Sequence, residues 1–179
     1  MNSNFQTNDS PLSANGRFGR LSYLGWTFLS ALVFFLVAIV VVVLMVGTDP
    51  ESISSLSIPA MIIFLVLYIA MIYFTFIFTI RRLHDKNQNG WLSLIMFVPL
   101  INFFFLIYLC CAKGDAGTNN YGAPRVTKGW EKVLGWIYII LFPISILLIA
   151  VSAIPAYQSY LERAQLQQLQ YQQQIEQSE

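Results

Sequence analysis

An all-α integral membrane protein is the fold class this sequence predicts, and three observations predict it. Hydrophobic residues make up 56% of the 179 and charged residues 11%, far from the balance of a soluble domain. Four stretches, 24–46, 58–80, 91–112 and 133–154, contain no Asp, Glu, Lys, Arg or His. At ~1.5 Å per residue each is long enough to cross ~30 Å of hydrocarbon. None carries the polar stripe that a helix on the surface of a soluble bundle keeps in water.

Residues 1–21 are polar, with Pro11, Asn15, Gly16 and Arg17. They lack the charged start, short apolar run and small-residue cleavage site of a signal peptide, so the first apolar stretch is expected to stay in the protein. Its orientation follows from Lys and Arg, which accumulate in short cytoplasmic loops. Arg17 and Arg20 precede the first stretch, the loop to the second holds only Asp49 and Glu51, and Arg81, Arg82 and Lys86 follow the second. The amino terminus is therefore expected inside.

The third stretch strains a simple four-span arrangement. If it crosses, six basic residues lie inside and four outside; if it dips in and returns, nine lie inside and one outside. Pro99 divides it, and Asn102 adds a side-chain amide. A proline removes a backbone donor and breaks or kinks a helix. A re-entrant hairpin and a kinked complete span both fit, and the charge count favours the hairpin. Beyond the fourth stretch, nine glutamines stand among the last 22 residues. Leu161, Leu166, Leu169 and Ile175 do not keep a heptad there, so a short, frayed helix is expected. The chain thus divides into a cytoplasmic amino-terminal segment (1–21), a membrane domain (22–124), an additional transmembrane helix (125–157) and a Gln-rich tail (158–179).

Chemistry-bearing residues are few. One histidine leaves no ligand cluster for zinc. Cys110 and Cys111 are adjacent, where a disulfide is strained, and read as small core residues. A net charge of +1 offers no extended basic surface for nucleic acid. With no ionisable group inside the apolar stretches, a pump or ion-coupled transporter is disfavoured. His84 and Asp85 are neighbours, but adjacent helical residues point about 100° apart, so they form no ready dyad and read as a cap for the following loop. Arg81 and Arg82 stand where a helix meets the headgroups, a place for anchoring cations. Residues 114–122 are rich in Gly and Asn and tolerate positive φ. That loop lacks the Gly-Lys-Ser/Thr ending of a phosphate loop.

Gly16-Arg17-Phe18-Gly19-Arg20 with Tyr23, then Arg81-Arg82-Leu83-His84-Asp85 followed by Gly90-Trp91, then Pro99, then Gly114, Gly117, Asn119, Asn120, Tyr121 and Gly122 occur in that order. This series, from about residue 16 to 124, resembles the bacterial membrane family catalogued as domain of unknown function 805. Asn102 departs from it, standing where similar proteins often carry glycine. The resemblance implies a bacterial inner-membrane location and brings no activity with it. A second, short stretch, 154–165, is similar to the type IV pilin helix where it leaves the membrane. It lacks the glutamate expected at the fifth position after Lys128-Gly129, where Leu134 stands.

The candidate cluster is Arg17, Arg20, Arg81, Arg82, His84, Asp85, Asn120 and Tyr121, structural or headgroup-binding. No catalytic, metal or cofactor site is expected. The leading functional expectation is a non-enzymatic scaffold or accessory protein of the cell envelope, surrounded by membrane lipids and contacting another envelope protein or itself. The alternative is a small lipid-headgroup-binding or passive permeation protein that uses its arginines at phosphates.

Overall fold

The computed structural model describes residues 10, 12–45 and 58–178. Asp49, Glu51 and the end of the first apolar stretch at Val46 lie outside the described residues. The described chain is helical, with one isolated bridge between Asn119 and Gly122. Its elements are α1 (Arg20–Met45), α2 (Ile58–Asp85), a 3-10 helix (Gly90–Phe97), α3 (Pro99–Cys111) and α4 (Gly129–Ser178). They fall into two compact units, Met1–Tyr138 and Ile139–Glu179.

Among the described residues three helices, α1, α2 and α4, are long and apolar enough to cross a membrane. α3 is not. Its 13 residues reach ~20 Å, short of the ~30 Å hydrocarbon core. The third apolar stretch is thus not one continuous helix. Asn89 caps the 3-10 helix by accepting from the Trp91 N–H at 3.0 Å, Val98 is extended, and Pro99 starts α3 at the position where its missing N–H costs nothing. Gly90 begins the segment beside Ile80 and His84 of α2. At its far end Leu109 and Ala112 offer their carbonyls to Arg82 of the same helix end. The segment therefore leaves from and returns to one end of α2, the hairpin geometry of the two open readings.

The sequence stretches also misplace two helix ends. α2 runs five residues past its apolar stretch, through Asp85, because Arg81, Arg82 and Asp85 find buried partners there. It closes on Asn87 in the left-handed region (φ 54°), which asparagine tolerates. The expected short, frayed terminal helix is instead part of α4, assigned over 50 residues through Pro143 and Pro155. Its Gln, Leu, Glu, Arg and Ala residues are good helix formers, and that propensity continues the helix without a heptad.

In the first unit the buried core gathers Phe18, Tyr23, Leu24, Ile77, Phe78, Leu83, Phe105 and Leu109. These positions mark one end of the bundle, where α1 begins and α2 and α3 finish. Towards the other ends of α1 and α2 the apolar residues point outward, as at Leu36 (55% exposed) and Ile62 (56%), a pattern suited to lipid rather than water. α1 meets the start of α4 through glycines. A Cβ on Gly25 would stand 2.6 Å from the Glu131 carbonyl oxygen, and one on Gly135 2.9 Å from that of Leu21. Small residues permit such close approach between membrane helices.

Candidate functional site, a buried arginine network

The residues singled out in the sequence meet at this end. Arg17 stands just before α1, held in place by the Phe18 N–H donating to the Arg81 carbonyl at 2.9 Å. Its Nε donates to Asp85 Oδ1 (3.2 Å), Nη1 to the carbonyls of Gly117 (2.7 Å) and Gly122 (3.0 Å), and Nη2 to those of Asp115 (2.6 Å) and Asp85 (3.4 Å). A guanidinium has five N–H donors, so all are used on the chain's own acceptors. Arg82 donates from Nε to Leu109 (2.8 Å), from Nη1 to Phe18 (3.2 Å) and to Asp85 Oδ2 (2.5 Å), and from Nη2 to Ala112. Asp85 thus lies between two guanidiniums, with 9% of its side chain exposed. The Asp115 N–H donates to the Asp85 carbonyl at 2.8 Å, and Gly114 lies so close that a Cβ there would collide with the carboxylate. Two cations and one anion this deeply buried persist only because each is bonded on nearly every donor and acceptor.

Arg81 turns the other way. Its guanidinium lies 3.9 Å over the Phe18 ring and donates to the Ser10 carbonyl at 3.1 Å. Gly16, at φ +88°, lets the chain fold past it. His84 stacks on Tyr121, centroids 3.7 Å apart and planes within 7°, with Nδ1 3.3 Å from the Gly16 carbonyl. Burial lowers its pKa; the Gly16 hydrogen bond opposes this and Arg81 adds to it. Asn120 joins only through its backbone N–H, which donates to Asn87 Oδ1 at 3.3 Å. Arg20 stays exposed and reaches the Cys111 carbonyl at 3.4 Å, apart from the Asp85 cluster.

A second node went unread in the sequence. Glu131 is fully buried and bound bidentately by Arg125, at 2.6 and 2.8 Å. Trp26 Nε1 (2.9 Å), Ser22 Oγ (2.9 Å) and the Lys128 N–H (3.0 Å) complete its shell. Burial pushes this carboxyl up, and the hydrogen bonds from Arg125, Lys128, Ser22 and Trp26 outweigh it and hold it below the ordinary carboxylate value. Lys128 precedes α4 and Glu131 is its third residue, so the reach back to the Lys128 N–H is half of a capping box. That spacing was the available signal; the Arg125 partnership, formed across a loop, had none.

The arrangement fastens five pieces of chain together: the segment before α1, the end of α2, the end of α3, the 114–122 loop and the start of α4. Asp85 faces arginines and His84 faces Tyr121 and Gly16, so the neighbouring pair does not work as a dyad. Among the described residues no group of His, Cys, Asp and Glu could hold a metal. Nine basic side chains (Arg17, Arg20, Arg81, Arg82, Lys86, Lys113, Arg125, Lys128, Lys132) and three acidic ones (Asp85, Asp115, Glu131) mark this region.

Residues 11–123 match the family described as protein of unknown function (DUF805). A 61-residue stretch is 38% identical to inner membrane protein YhaI of Escherichia coli K12, covering 31% of this chain and 52% of that protein. A 42-residue stretch is 36% identical to inner membrane protein YhaH of the same strain, covering 24% of this chain and 35% of that protein. The chain therefore spans about half the length of the first of these relatives. No solved structure matches. The pilin-like stretch at 154–165 lies beyond the family match.

Proposed function

We propose, for a chain that belongs to the DUF805 family, a role as a multi-pass bacterial inner-membrane protein that scaffolds or assists another component of the cell envelope without catalysing a reaction. One observation carries this reading: all five N–H donors of Arg17 are spent on Asp85 and on carbonyls of the chain itself. A family motif whose polar groups satisfy one another builds a rigid cap rather than a reactive centre. Arginines so engaged have no donors left for phosphate, which argues against Arg17 as a headgroup ligand.

In this reading α1, α2 and α4 cross the membrane and residues 90–112 re-enter from the cytoplasmic side. The amino terminus and the arginine network are cytoplasmic, with nine basic residues inside and one, Arg163, outside. The partner is another envelope membrane protein or a second copy, met through the exposed helix of the second unit. It requires no cofactor and no nucleic acid. The test is photo-crosslinking in native membranes from a reactive side chain placed at Gln168 and, separately, at Lys128. A discrete protein adduct from either site is expected; smears of lipid adducts alone from both would overturn the reading.

A further inference from the structure

The hairpin and the end of α2 enclose a second feature, independent of the scaffold reading. A pocket of about 350 Å³ lies between Phe76, Ile80 and His84 of α2, Trp91 and Ser93 of the 3-10 helix, and Tyr121. Phe76, Ile80 and Trp91 make part of its wall apolar, and Trp91 is 76% exposed at the edge. The polar lining is specific. A carbonyl only accepts, so the 3.3 Å contact of His84 Nδ1 with the Gly16 carbonyl places the ring proton on Nδ1 and leaves a lone pair on Nε2. Nε2 lies towards Gly90, where a Cβ would come within 3.4 Å of it and within 2.9 Å of Ile80 Cγ2, so glycine keeps this approach open. Ser93 is 3% exposed. Neither His84 Nε2 nor the Ser93 hydroxyl has a hydrogen-bond partner among the described residues.

A ligand here must donate to Nε2, exchange a hydrogen bond with a hydroxyl, and place an apolar body against aromatic and aliphatic side chains. The nine basic side chains of this end of the fold favour an anion over a cation. We infer that the pocket binds the hydroxylated glycerophosphate headgroup of an anionic phospholipid, its hydroxyls on His84 Nε2 and Ser93 and its acyl chains against the apolar wall. A soluble glycerophosphate presents the same polar group without the chains, and the test separates the two sources.

The full chain, purified in mild detergent, is mixed with equal amounts of phosphatidylglycerol and phosphatidic acid, and bound lipid is counted by native mass spectrometry. Both lipids are anionic, but only the first carries free glycerol hydroxyls. About tenfold preference for phosphatidylglycerol is expected from two hydrogen bonds of ordinary net strength. Ser93→Ala and His84→Phe should each reduce that preference about threefold with little change in melting temperature. Should His84→Phe fail to fold, Ser93→Ala decides alone. Equal retention of the two lipids by the wild type, or an unchanged preference in Ser93→Ala, would overturn the assignment. Displacement of phosphatidylglycerol by millimolar soluble glycerophosphate would overturn the lipid source, and failure to displace it supports that source. None of these results bears on crosslinking from Gln168 or Lys128.

Discussion

Replacing Asp85 with Asn is the sharpest perturbation of the arginine network. It keeps the size of the side chain and removes the one negative charge between Arg17 and Arg82. At an effective dielectric near 20, ion pairs at 3.1 and 2.5 Å have gross attractions of about 5 and about 7 kcal/mol, most of it offset by desolvation. What decides the outcome is the state left behind. Two buried guanidiniums lose their common partner, and the new amide turns an NH₂ group towards one of them. Removal of one partner from a buried ion pair costs about 3–5 kcal/mol, against a total stability of about 5–15 kcal/mol for a domain. At roughly 3 °C per kcal/mol the melting temperature in mild detergent should fall by about 10 °C or more. Arg17→Gln combined with Asp85→Asn should cost less than the sum of the two single changes, since the pair shares one interaction. A melting temperature within about 2 °C of wild type for Asp85→Asn would refute the reasoning, showing that the network does not hold the cap together.

Three further outcomes follow from the same geometry. Gly114→Ala should destabilise by about 2 kcal/mol or more, because its Cβ collides with the Asp85 carboxylate, whereas Gly117→Ala, with nothing within 4 Å, should be near silent in the same melt. His84, the only histidine in the chain, has its pKa held below the ordinary value of about 6.5 by burial. The unfolded chain then binds the proton more readily, so stability is full above about pH 6.5 and declines as pH falls from there towards the folded value; melting curves should show this loss in the wild type and not in His84→Gln. Replacing Arg81 and Arg82 together with Ala should lower membrane yield, measured by quantitative immunoblot, well below that of the Lys128 and Lys132 double replacement, since the arginines are buried and the lysines exposed.

Much of this was legible in the sequence, for identifiable reasons. Apolar stretches free of charge declare membrane helices by composition, and Pro99 marks where the third stretch breaks and α3 begins. Gly-Arg-Phe-Gly-Arg, Arg-Arg-Leu-His-Asp and the Gly/Asn loop drew attention together, and the fold joins Arg17, Arg82 and the 114–122 carbonyls. Their roles were not legible. Arginines beside a membrane read as exposed anchors, and only the tertiary arrangement turns Arg17 and Arg82 inward. Arg125 and Glu131 are only six residues apart, but the contacts from Ser22 and Trp26 that bury Glu131 join residues more than 100 apart in sequence, which no local pattern carries. The continuation of α4 through the tail rests on helix propensity and needs no heptad, so the missing heptad carries no information about where the helix ends.

In the proposed topology five chain segments meet in one cytoplasmic cap, and residues 90–112 turn back within the membrane. Single cysteines at Thr118 and at Gln168, each in a Cys110→Ser, Cys111→Ser background, can be exposed in intact cells to a membrane-impermeant thiol reagent. Gln168→Cys should be labelled in intact cells and Thr118→Cys only after the membrane is opened. Labelling of Thr118→Cys in intact cells, with Gln168→Cys protected, would contradict that topology: the 113–132 loop would lie outside, and residues 90–112 would cross.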